Sequence, residues 1–254
     1  MQNTALIVEP RFLERIPKII ENFQDTLGPS WQVVFYCGKG LASKWKYLVR
    51  ENVEIRELEV ENFNDGDEHS DFFKRHALWE SLYGEWVLSF QADTWLVSSG
   101  NYTIDYFINK NMSYIGGNMK YLWIEFEKTL GGHPYYRNFN GGLSLRKRQH
   151  MTDIIDTFPP EKTVKYTNWF ENDPEDVYFV QGCYKLGLPV GDDEESSHFA
   201  VHTIWKEEFF GIHQPDRYVQ VPLLEKYPQV SECYLPTRKD DPPLYLPSPG
   251  IRYI

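Results

Sequence analysis

The stretch Trp86-Val87-Leu88-Ser89-Phe90-Gln91-Ala92-Asp93 is an apolar run of strand length that closes on a polar turn and one carboxylate. Its length and its aromatic and β-branched content favour a buried strand over a helix. A strand that ends in Asp presents that carboxylate at the carboxyl edge of a sheet, where open α/β sheets bind their ligands. Upstream, Thr4 to Val8 is a second such run, ended by Glu9-Pro10-Arg11. Phe12, Leu13, Ile16, Ile19, Ile20 and Phe23 then recur at helical spacing, and Gly28-Pro29 stops that helix. Trp31 to Cys37 is another strand, turning at Gly38-Lys39-Gly40. The pattern continues as a helix over Leu41–Arg50, a strand over Val53–Leu58, a polar loop over Asn62–Glu68 and a helix over Asp71–Tyr83. This alternation predicts an α/β fold with a mostly parallel sheet and helices on both faces. Glu9, Gly38 and Asp93 all follow strand ends, so they should share one edge.

Beyond residue 110 the rhythm changes. Tyr114-Ile115-Gly116-Gly117 and Gly142 to Leu145 are strand-like, and an aromatic-rich segment, Asn118 to Phe139, lies between them. Lys147–Phe158 and Pro174–Leu186 read as helices, the second stopped by Gly187. Neither repeats nor a linker are visible, so a single domain is expected over 1–221. The Pro-rich residues 222–254 are expected to form an extended tail, packed on the body or partly disordered.

Composition narrows the partners. With 26 basic and 37 acidic residues the chain carries −11, which argues against a polyanionic nucleic-acid ligand. An anionic nucleotide sugar is compatible if a cation offsets its phosphates. Cys37, Cys183 and Cys233 are too far apart for a zinc site, and an odd number does not suggest a disulfide framework. No signal peptide and no apolar run long enough to span a membrane stand out, so a soluble, cytoplasmic protein is expected.

Four clusters can carry chemistry. Gln91-Ala92-Asp93 can supply oxygen ligands to a hard cation, Mn2+ or Mg2+, that bridges a diphosphate; the bland alternative is a capping Asp. Asn140-Gly141-Gly142 lets backbone approach a ligand closely, or is a plain turn. In Asp173-Pro174-Glu175-Asp176 one carboxylate could act as general base on an acceptor hydroxyl, with Asp176 placed ahead of Glu175; the same residues make an ordinary acidic helix start. His213, in Phe210-Gly211-Ile212-His213, could complete a metal site or contact a phosphate, with His198 and His202 as rivals. Glu9 and Arg11 could contact base, ribose or phosphate, or simply form a salt bridge at the start of the next helix. Arg146 and Lys147 are possible phosphate neutralisers. Tyr135, Tyr136 and Trp123 could form a stacking platform for an acceptor sugar.

Taken in order, these pieces resemble a family of uncharacterised glycosyltransferase-like domains found in large DNA viruses, algae, fungi and bacteria. The resemblance runs over Glu9-x-Arg11, Trp31 to Gly38, Phe90-Gln91-x-Asp93, Tyr114-Ile115-Gly116, Asn140 to Arg146, Glu175-Asp176-Val177 and Phe210-Gly211-x-His213. It implies a GT-A-type fold, with a nucleotide-binding half continuous with an acceptor-binding half. It also implies that Gln-x-Asp stands where many relatives carry Asp-x-Asp, which strengthens Asp93 as a cation ligand.

The expectation is therefore a metal-dependent glycosyltransferase that moves a sugar from a UDP- or GDP-linked donor to a glycan or other hydroxyl acceptor, with inversion. Two alternatives stay open. One is a carbohydrate-binding module without turnover. The other is a nucleotide-sugar hydrolase or nucleotidyltransferase, which would want a phosphate-cradling glycine loop that Glu9-Pro10-Arg11 does not offer.

Overall fold

The computed structural model describes residues 2–118, 140–160 and 174–233. Six strands form the central sheet in the order β3-β2-β1-β4-β7-β6: β1 Asn3–Glu9, β2 Trp31–Cys37, β3 Glu54–Glu57, β4 Trp86–Phe90, β6 Tyr114–Gly117 and β7 Asn140–Lys147. β1, β2, β3 and β4 run parallel, and β7 is antiparallel to both β4 and β6. The sheet is thus mixed but mainly parallel, as the alternation predicts. Its central strands β1 and β4 are mainly apolar and buried nearly along their length because both faces are covered.

One face packs on α1, Ile16–Leu27, which buries Ile16, Ile19, Ile20, Phe23 and Leu27. That i, i+3, i+4, i+7 stripe meets the sheet directly, and Phe23 stacks on Phe90 of β4 with ring centroids 3.8 Å apart. Gly28 ends the helix at φ 73°, its N–H returning to the Gln24 carbonyl. The other face carries α3 Gly66–Phe73, α4 His76–Glu80, α6 Arg148–Thr157 and α7 Glu175–Lys185, around a second apolar cluster that includes Leu6, Val8, Val34, Val87, Trp79, Ile154 and Phe179.

A second, three-stranded sheet lies on the α1 side. β5, Thr94–Leu96, pairs antiparallel with β9, Gly211–His213, and β8, Ala200–Val201, joins β9 in parallel. Two short helices, α5 Ile104–Asn109 and α8 Asp193–Phe199, brace it. Thr94 opposite His213 is the register that matters, because it draws together residues 119 apart in the chain.

Several local expectations are corrected. The helix expected over Leu41–Arg50 is only one turn, α2 Ala42–Trp45, because beyond buried Trp45 the chain exposes Tyr47 and Leu48 and offers no apolar stripe to continue it. The polar loop over Asn62–Glu68 already contains the start of α3, capped by Asp65, which accepts from the amides of Asp67 and Glu68. The single helix over Asp71–Tyr83 is split at Lys74-Arg75, where Arg75 turns extended. The split leaves the Phe73 carbonyl free to accept from the buried indole Nε1 of Trp79 at 2.7 Å. Finally, an extended tail does not begin at 222. Helix α9, Arg217–Lys226, runs through that point with Pro222 inside it, and a 3-10 turn, Pro228–Glu232, follows. Residues 234–254 lie outside the described residues.

Candidate active site

The carboxyl edge of β4 is built by a tight turn. Thr94 donates from both its amide and its hydroxyl to the Gln91 carbonyl, at 3.3 and 2.6 Å, and Arg15 holds the Ala92 carbonyl at 2.9 Å. The chain therefore reverses from β4 into β5 with the side chains of Gln91 and Asp93 at the same end. The β5–β9 pairing then delivers His213. Its Nε2 lies 3.4 Å from Asp93 Oδ1 and 3.2 Å from Gln91 Oε1. Gln214 donates to Asp93 Oδ2 at 2.7 Å and adopts a left-handed φ of 40°, a strained conformation next to the site.

Asp93 Oδ1 and His213 Nδ1 are buried without a hydrogen bond. Burial pushes the Asp93 carboxyl up, but the imidazole of His213, with help from Gln214, outweighs it and brings it down to about 2. Asp93 is thus anionic over the whole physiological range. Donors that are cis on a small divalent cation stand about 3 Å apart when the bonds are about 2.1 Å. Asp93 Oδ1 and Gln91 Oε1 each lie close to that separation from His213 Nε2, so the donor set fits a hard or borderline cation with mixed oxygen and nitrogen ligands. Among the described residues no group of three or more His, Cys, Asp and Glu side chains gathers; the third polar group beside Asp93 and His213 is the Gln91 amide oxygen.

His202 supports His213 from behind. Its Nδ1 donates to the His213 carbonyl at 2.6 Å, and the two rings lie nearly parallel with centroids 5.7 Å apart. Burial first, then the neighbouring His213, hold His202 down to about 4, so it is neutral near pH 7. His198 is occupied elsewhere, between the Glu208 carbonyl and Glu194 and stacked on Tyr102.

The Asn140-Gly141-Gly142 turn is where the remaining motifs meet. A Cβ on Gly142 would overlap the His213 ring, and a Cβ on Gly141 would overlap Glu175 Oε1. Both glycines are therefore required by close approach, one to His213 and one to the start of α7. Asn140, nearly buried, accepts from the Gly142 amide at 3.0 Å. Gly141 donates to Asp176 Oδ2 at 3.1 Å, and Val177 donates to Asp176 Oδ1 at 2.8 Å. Burial, and then the negative charge of Glu175, raise the Asp176 carboxyl to about 7, against the pull of those two amides and of Arg146.

Other candidates are placed differently from what their spacing suggested. Arg146 cannot neutralise a phosphate: it is fully buried, bonded through both terminal nitrogens to Glu175 at 2.5 and 2.9 Å and ringed by Phe73, Trp79, Tyr114 and Phe179. Lys147 lies opposite Trp86, at the amino end of β4, where it pairs with Glu85. Glu175, with both oxygens on Arg146, is not presented as an open base. Glu9 and Arg11 do stand at the shared edge, with both Glu9 oxygens engaged by Arg11. Gly38 also follows its strand, and a Cβ there would overlap the carbonyls of Pro10 and Glu61, so packing alone demands it. Asp173, Trp123, Tyr135 and Tyr136 lie outside the described residues.

His69 of α3 escaped the sequence reading. It is half-buried against Phe63 and Phe73, with ring centroids 5.7 and 5.0 Å away. Burial holds it low, and the charges of Glu175, Glu9, Arg146 and Arg11 all act on it, which puts it on the same edge between β1 and α7. No periodicity marks it, because it sits between the expected polar loop, Asn62–Glu68, and the expected helix, Asp71–Tyr83.

Comparison with known proteins agrees with this architecture. Residues 52–215 match the family described as "Protein of unknown function (DUF5672)". No curated protein sequence matches the chain. Among solved structures, the galactosyltransferase LgtC, determined with donor and acceptor sugar analogs, superposes with a TM-score of 0.60 at 9% identity, covering 93% of this chain and 98% of that one. The fold is thus GT-A-like, a mixed α/β fold with a mostly parallel central sheet and flanking helices.

Proposed function

This chain belongs to the DUF5672 family, and we propose that it is a glycosyltransferase that takes a sugar from a nucleotide-diphosphate donor and delivers it to a hydroxyl acceptor. The observation that carries the reading is the meeting of Gln91, Asp93 and His213 at the carboxyl edge of a GT-A-like sheet, with the Gly141-Gly142 turn packed on His213 on one side and bonded to Asp176 on the other. Gln91, Asp93 and His213 would hold Mn2+ or Mg2+. A cation there supplies charge neutralisation for the departing nucleotide diphosphate.

The chain's own groups divide the remaining work. Glu9 and Arg11 offer a fixed carboxylate and guanidinium at the end of β1, suited to the nucleoside part of a donor. The glycines at 141 and 142 let Glu175 and His213 approach the turn closely, which holds these two side chains in place. Asp176, titrating near neutrality and held by two amides, is suited to accept the acceptor hydroxyl proton as that oxygen attacks the anomeric carbon. With such a base the product is inverted at that carbon. A product with retained configuration, seen by proton NMR, would remove Asp176 from the base role.

Calorimetric titration with UDP, GDP and dTDP, each with and without Mn2+, tests the reading. Binding of one nucleotide only in the presence of the cation supports it and names the base. Binding of free glycans with indifference to all three nucleotides would replace it with a carbohydrate-binding module.

A further inference from the structure

Arg146 and Glu175 form an ion pair inside an aromatic cluster, where an apolar pair would pack without loss of hydration. Arg146 has no exposed surface, and its guanidinium carbon lies 4.8 Å from the Tyr114 ring centroid and 5.5 to 5.8 Å from those of Phe73, Trp79 and Phe179. Buried pairs of this kind contribute little to stability over an apolar replacement, so stability alone does not account for the pair.

Hydrogen bonds around the pair close a ring. Arg146 Nε donates to Ser144 Oγ at 2.9 Å, and Ser144 Oγ donates to the Gly141 carbonyl at 3.2 Å. The Gly141 amide donates to Asp176 Oδ2, and Asp176 follows Glu175 in the chain, which returns to Arg146. The ring ties the start of β7 to the start of α7, the two segments that carry the Asn-Gly-Gly turn and Asp176. We propose that Arg146 and Glu175 are positioning residues that fix the Asp176 carboxylate against the Gly141 amide and govern its proton affinity.

The charges support this. Arg146 faces Asp176 from β7, but Glu175 already takes both of its terminal nitrogens. Glu175 adds a negative neighbour on Asp176's own helix. From β6 comes Tyr114, a buried phenol held protonated chiefly by burial. From α3, His69 responds to the same pair. Among the described residues, the amides of Gly141 and Val177 oppose protonation by hydrogen bonds to the carboxylate, with the charge of Arg146 behind them. Burial first, and then Glu175 outweighing the partly spent Arg146, keep the proton on Asp176 to about 7.

The inference rests on the transferase reading only for its purpose, and its test needs no turnover. The carboxyl carbon of Asp176 is titrated by NMR in the wild-type chain and in the double variant Arg146→Met with Glu175→Gln, with Asp176→Asn assigning the resonance. Hydrogen exchange of the Gly141 amide is read alongside. We expect the double variant to fold, its Asp176 midpoint to fall by about one pH unit, and Gly141 exchange to accelerate at least tenfold. Ser144→Ala, which cuts the ring without touching charge, should accelerate Gly141 exchange and leave the midpoint in place. A folded double variant with wild-type midpoint and wild-type protection at Gly141 overturns the proposal. If the double variant does not fold, Ser144→Ala with unchanged Gly141 exchange overturns it. Loss of the transferase reading, seen as full turnover by Asp176→Asn, would leave these observables unaffected.

Discussion

Asp93 is the residue on which most of the proposed chemistry converges. Its Oδ2 is committed to Gln214, while its Oδ1 is buried beside His213 Nε2 without a hydrogen bond. Replacing Asp93 with Ala removes the single carboxylate of the cluster. Cation-dependent nucleotide binding should then weaken at least 100-fold by calorimetry, and unchanged affinity would dismiss Asp93 as a ligand. Gly142 is a sharper probe, because it touches no ligand itself. A methyl at 142 needs the space of the His213 ring. Gly142→Ala should therefore displace His213, lower Mn2+ affinity about tenfold and cost about 1 to 3 kcal/mol in urea unfolding, as overpacking does. Asp176 makes a prediction about pH. Its folded value, about 7, lies above the usual carboxylate range near 3.9. In the window between them the folded state holds a proton the unfolded chain has released, so the contribution is fully present below about pH 4 and is lost as pH rises towards 7. Asp176→Asn should flatten that decline in a urea-midpoint series from pH 4 to 8. A variant curve parallel to the wild type would show that the carboxyl titrates normally.

At the scale of elements, the caps and strand ends decide where side chains arrive. Asp65 caps α3 through two amides, and Asp65→Ala should cost about 1 kcal/mol of stability, read from the urea midpoint. No change would mean that α3 is set by packing alone. The same helix shows what the sequence conceals. Strands β1, β2 and β4 were legible because a strand covered on both faces must be apolar along its length. Helix α1 was legible because one face alone is buried. The break between α3 and α4 was not, since it depends on an indole hydrogen bond between Trp79 and Phe73 that no local pattern encodes. Arg146 misled for a related reason. A cation after a glycine turn looks exposed, and only the fold reveals four aromatic rings around it. The grouping of Asp93 with His213 lay between these extremes. Their chemistry could be guessed from residue type, but their contact depends on the β5–β9 register.

Across the whole molecule, net charge and site charge pull in opposite directions. The chain carries −11, yet the proposed ligand is itself an anion. At the edge where β1 and β4 end, the groups given above leave one carboxylate paired with Arg11 and another, Asp93, with only a neutral amide and an imidazole. Repulsion by the rest of the surface makes a bare nucleotide diphosphate a poor ligand, whereas its complex with a divalent cation has most of that charge cancelled. Cation and nucleotide should consequently bind cooperatively, each weakly alone. A ligand at 100 times its dissociation constant stabilises the folded state by about 2.7 kcal/mol. For a chain of this size each kcal/mol raises the melting temperature by roughly 2 to 4 °C. Thermal melts with Mn2+ and the preferred nucleotide together should thus rise by about 5 to 10 °C, while either alone gives a far smaller shift. An equal rise with nucleotide alone would mean that the phosphates are held by side chains and not through Asp93, and the assignment of this edge as a cation site would fall with it.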